Sequence, residues 1–73
     1  MPPGKLYHYL IDGLTQEKAD IILKGLSVIP GVGEVTVDVG KSMVEARALK
    51  DIEPQVRLAC DVAGAKFRTR VRL

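Results

Sequence analysis

Residues 30–49, Pro30-Gly31-Val32-Gly33-Glu34-Val35-Thr36-Val37-Asp38-Val39-Gly40-Lys41-Ser42-Met43-Val44-Glu45-Ala46-Arg47-Ala48-Leu49, hold two alternating runs around a Gly-Lys-Ser break. Val32, Val35, Val37 and Val39 turn inward over 32–39 while Thr36 and Asp38 turn out, the pattern of a half-buried strand. Over 43–49, Val44, Ala46 and Ala48 stand opposite Glu45 and Arg47. Gly40-Lys41-Ser42 is short enough to close the two runs into a hairpin. The hairpin is bracketed by helical signals on both sides, and that bracketing decides the fold.

Upstream, Ala19, Ile22, Leu23, Leu26 and Ile29 recur at helical spacing and predict a helix over 16–28 with a buried stripe. Thr15 is its expected N-cap, Glu17 sits favourably in the first turn, and Pro30-Gly31 ends it. Before it, residues 5–12 are aromatic and branched and read as a first strand that Gly13 stops. Downstream, a second helix is predicted over 54–63 with Pro54 at its first position and Glu53 as cap. Val56, Ala59, Cys60 and Ala63 share one face, and Gly64 suits the position after the last turn. Phe67, Thr69, Val71 and Leu73 alternate with Lys66, Arg68, Arg70 and Arg72 in a final strand. The order βαββαβ, with right-handed crossovers, implies a ferredoxin-like α+β sandwich: a four-stranded antiparallel sheet with both helices on one face.

The chain of 73 residues is one domain, with residues 1–4 a flexible lead-in and 5–73 the folded unit. Its single Cys excludes an internal disulfide, and a net charge of +2 is too small to demand a polyanionic partner. No apolar run reaches the roughly 18 residues of a membrane span, and residues 1–5 lack the features of a signal peptide, so a cytoplasmic location is expected.

Three stretches resemble the heavy-metal-associated domains of copper chaperones. Gly13-Leu14-Thr15 is similar to the Gly-Met-Thr that opens that family's metal loop. Gly31 to Val37 is similar to its Gly-Val-x-x-Val-x-Val element. Val56 to Gly64 is similar to its second helix, with Cys60 where the family has a buried isoleucine. The resemblance implies the same fold and a soft-metal site at a Cys-x-x-Cys pair directly after Thr15. Gln16 and Ala19 stand at those two positions here, and Ala65 stands where the family has an aromatic or lysine. An amide oxygen and a methyl group cannot replace two thiolates, so no metal is expected at this loop and no cofactor overall.

The remaining chemistry is sparse. Tyr7, Tyr9 and Ile11 are expected to face the helices, which puts Leu6, His8 and Leu10 on the open face of the sheet. With Arg47 and the stripe Arg68, Arg70 and Arg72, these form a candidate interaction surface. The plainer reading of that stripe is charge on an edge strand, which prevents stray strand pairing. Cys60 reads as a small core residue and Met43 as packing. No catalytic set is visible, and the chain is read as non-enzymatic: an interaction module for another protein or for itself. Two alternatives stay open. One is residual Cu(I) or Zn(II) binding with ligands from two chains, such as paired His8 residues or Cys60 on an exposed helix face. The other is nucleic-acid binding through the basic stripe, disfavoured because the open face lacks the aromatics that stack bases.

Overall fold

The structure is a computed structural model that describes residues 4–71. The elements follow the order β1 (Lys5–Asp12), α1 (Gln16–Ser27), β2 (Val32–Asp38), β3 (Met43–Ala48), α2 (Glu53–Ala63) and β4 (Lys66–Val71). All strands pair antiparallel in one sheet of order β2-β3-β1-β4. This is the ferredoxin-like sandwich that the alternation of strand and helix periods implied, with β2 and β4 as edges.

Register separates the two faces. Val37, Val44, Tyr9 and Arg70 form one row across the sheet on the helix side. The neighbouring row of Thr36, Glu45, His8 and Val71 points the other way, to the open face. Between the sheet and the helices, Tyr9, Ile11, Val44 and Ala46 pack against Ile22 and Leu26 of α1 and Val56 and Cys60 of α2. Removing these side chains from water, at roughly 25 cal/mol per Å², is the main force holding the two layers together.

Helix α1 begins where expected, with Thr15 Oγ1 accepting from Lys18 N at 3.3 Å. Helix α2 departs from expectation at its start. Glu53 is the first helical residue rather than the cap, Ile52 occupies the cap position without a side-chain bond, and Asp51 Oδ1 accepts from Glu53 N at 3.0 Å. A carboxylate two residues upstream therefore does the capping. The other end of α2 closes as read, with Gly64 left-handed at φ 81°.

Two strands carry irregularities. In β2, Gly33 and Glu34 together face Arg47, so Val32 and Val35 both point inward. In β4, Ile11 pairs with Phe67 but Leu10 pairs with Thr69, which leaves Arg68 as the extra residue of a bulge. Beyond the bulge the facing of β4 is reversed relative to strict alternation. Arg70 goes to the helix side, and Thr69 and Val71 to the open face. Just before β1, Gly4 lies at φ +97°, and a Cβ there would run into Ala48 O. Only glycine fits both the angle and that approach. Residues 1–3 of the expected lead-in 1–4, and Arg72 and Leu73, lie outside the described residues.

Candidate functional site

The open face brings together four of the predicted surface residues and leaves Arg68 and Arg70 apart from them. Leu6, His8 and Leu10 of β1 lie beside Arg47, Glu45 and Met43 of β3, each directly across the ladder. His8 is only 8% exposed even though it faces the solvent side of the sheet. Its Nε2 meets Glu45 Oε1 at 2.8 Å, which fixes the ring. Leu6 at one end of the row is 43% exposed, while Leu10, Met43 and Val71 are half-buried. The result is an apolar band over the two central strands, flanked by Arg47 and crossed by one His–Glu pair.

The basic stripe does not join this band as expected. Arg68 stands in the bulge at the edge, 3.9 Å from Asp12 Oδ1. Arg70 has crossed to the helix side, where its Nη1 donates to Asp51 Oδ2 at 2.7 Å. Arg72 lies outside the described residues. Arg68 and Arg70 thus serve different places, because one extra residue changes which side of the strand the residues after it occupy.

Arg70 belongs to a network that sequence reasoning missed. Tyr9, fully buried, donates its hydroxyl to Asp51 Oδ1 at 2.8 Å and accepts from Ile52 N at 3.2 Å. Burial first, and then the bond to Asp51, hold the Tyr9 phenol well above its ordinary range. Asp51 therefore ties together β1, β4 and the first turn of α2. The signal available was a buried-strand tyrosine, whose hydroxyl needs a partner when its ring is inside.

The loop between β1 and α1 is occupied by local bonds. Gln16, exposed in the first turn of α1, donates from Nε2 to Asp20 Oδ1 at 3.1 Å, and Ala19 is buried beneath it. Among the described residues no three His, Cys, Asp or Glu side chains come together as a metal site would require. Cys60 is fully buried in the core, on the opposite side of the sheet from His8. It is not on an exposed helix face, so it cannot meet a ligand from a second chain. Burial, reinforced by the charge of Asp61, pushes its thiol up to about 11.

That shift has a measurable consequence. The folded thiol keeps its proton to higher pH than the unfolded one, so its contribution to stability is complete below about pH 9 and is lost as pH climbs toward about 11. Denaturant midpoints of the wild type are expected to fall across that window, and Cys60→Ala to remove the early part of the fall. The loss that starts near pH 10 belongs to Tyr9 and persists in that variant. A flat profile between about pH 9 and 10 in the wild type, or an identical fall in Cys60→Ala, contradicts a sealed thiol.

No family model matches the sequence, and no curated protein matches it. Solved structures do. The N-terminal domain of ZntA in its apo form superposes with a TM-score of 0.78 at 25% identity, covering 90% of this chain and 92% of that one. The same domain in its Zn(II) form gives 0.76, at 25% identity over 90% and 92%. The copper(I)-loaded first domain of the human copper chaperone for SOD1, CCS, gives 0.67 at 19% identity, over 90% of this chain and 94% of its own. The backbone is therefore that of small heavy-metal-associated domains, along nearly its whole length. No helix among the described residues is long and apolar enough to cross a membrane.

Proposed function

We propose that this chain is a non-enzymatic protein-interaction module, built on a heavy-metal-associated scaffold and working through the open face of its sheet. The observation that carries the reading is the apolar group of Leu6, Leu10 and Met43 on the two central strands with Val71 on β4, on the sheet face away from the helices and beside Arg47. Apolar side chains gathered on the solvent side of a sheet and rimmed by charge are the usual make-up of a contact surface.

The donor set at the β1–α1 loop does not fit the ions named for the structural neighbours. It offers the Gln16 amide, whose Nε2 donates to Asp20, and no sulfur. Soft ions choose thiolates. No step of the proposed function passes through a metal.

Leu6→Glu and Arg47→Glu, singly and together, test the reading. The double variant is expected to weaken self-association or partner capture at least tenfold, with fold and melting temperature close to wild type, since Leu6 is exposed and Arg47 is not in the core. Sedimentation over a wide concentration range and cross-linked capture from lysate provide the readout. A chain that stays monomeric at millimolar concentration, with capture indifferent to both substitutions, would falsify the proposal.

A further inference from the structure

The helix layer carries an exposed apolar seam of its own. A Cβ added at Gly25 of α1 would stand 4.0 Å from Ala59 Cβ, and one added at Gly64, just past α2, 3.8 Å from Lys18 Cε. The two helices therefore run antiparallel, and Ile21 and Val62 fall between these contacts. Both lie away from the buried stripes of Ile22 and Leu26 and of Val56 and Cys60, so they flank the seam on its outer side. Ile21 is 44%, Leu58 64% and Val62 72% exposed. Gly25 is exposed between them and adds no side chain to the floor, which lets another backbone come close. Large apolar side chains gathered in this way mark a contact surface.

The charges beside the seam say what covers it. Glu17 and Lys24 are both exposed, and neither forms an ion pair among the described residues. Two helical turns separate them, so they stand on one line along α1 with Ile21 between. A second α1 laid antiparallel on the first reads that line backwards. Each Glu17 then meets the Lys24 of the other copy, and the two Ile21 side chains meet near the midpoint. A parallel arrangement would set like charges together. The line is thus self-complementary about a two-fold axis, the property an isologous contact requires.

We infer that a second copy of this chain docks on the seam, helix layer against helix layer, with Ile21 and Val62 of both copies at the centre and two Glu17–Lys24 pairs across the axis. The contact is closed, so it stops at a dimer. It lies on the opposite layer from the open sheet face of the proposed function, and each dimer presents two such faces outward.

Sedimentation equilibrium of the full chain carrying Leu6→Glu with Arg47→Glu, which disables the open face, reads this contact alone. A monomer–dimer Kd of about 1 mM or tighter is expected, as for a small contact. Glu17→Lys and Lys24→Glu, added singly, each create two like-charge contacts and should weaken dimerisation about tenfold or more. Together they restore opposite charges across the axis, and the Kd should return to within about threefold of the starting chain. Thermal melts separate this from stability of α1 itself. Both substitutions oppose the helix dipole, so the double variant should melt below either single one while dimerising better than both. Val62→Asp should also weaken dimerisation about tenfold without loss of helix by circular dichroism. A Kd weaker than about 1 mM, single variants that dimerise unchanged, or a double variant no better than the singles each overturns the inference. Dimers that persist while lysate capture ignores Leu6 and Arg47 leave it standing and remove the proposed function; capture without dimers does the reverse.

Discussion

Asp51→Ala lowers the stability of the domain by about 3 kcal/mol, on the order of 15 °C in melting temperature for a chain of this size. Three contacts disappear with the carboxylate: the hydroxyl of Tyr9 loses its acceptor, Arg70 loses its ion pair, and Glu53 N at the start of α2 loses its cap. The first matters most, because Tyr9 has no access to water and its donor is left with nothing to bond. The cap contributes about 1 kcal/mol by itself. The Arg70 pair is partly exposed and adds less. Asp51→Asn retains an oxygen for Tyr9 and for the cap but not the charge facing Arg70, and is expected to lose about half as much. Urea denaturation of both variants and of Tyr9→Phe measures the series. A loss under about 1 kcal/mol in Asp51→Ala contradicts the network.

Gln16→Cys with Ala19→Cys is expected to convert the loop into a tight Cu(I) site, from micromolar or weaker to nanomolar or tighter, a change of about 4 kcal/mol or more. Spacing of three residues places both side chains on one side of the first turn of α1, and the helix N-terminus favours the thiolate form of each. Either single cysteine leaves one donor and should gain little. Competition against a calibrated chelator decides the matter. If the double variant folds, by circular dichroism, and still binds no more tightly than wild type, then the resemblance of this loop to a metal loop is confined to its backbone.

Much of the fold was legible because its signals are periodic and redundant. The stripe of Ala19, Ile22 and Leu26 could only be a buried helix face, and Val44, Ala46 and Ala48 could only be the inner side of a strand. Gly64 marked the end of α2 because a left-handed residue was needed there. What was not legible depended on single residues. The extra residue at Arg68 leaves the composition of β4 unchanged, yet it decides whether Arg70 faces solvent or Asp51. The comparable irregularity in β2 did leave a trace, since the step from Val32 to Val35 breaks the two-residue rhythm.

The candidate site divides in the same way. Leu6, His8, Leu10 and Arg47 share one face because β1 and β3 are regular and central. The hydrogen bond between His8 and Glu45 needed cross-strand register, which no local pattern provides. The start of α2 was misread for a related reason. Proline at the first turn identified the helix, but the donor that Asp51 satisfies lies across Ile52, whose side chain packs in the core and caps nothing, and nothing in the local order of residues distinguishes Asp51 from Glu53 as the cap.

The two irregular strands are also the two outer ones, which leaves Val35–Asp38 as the uninterrupted part of the β2 margin and a kinked, positively charged margin on β4. Copies of this domain therefore offer one another no long, straight template for cross-β stacking. Concentrated solutions and tandem arrays of it should stay free of fibrils.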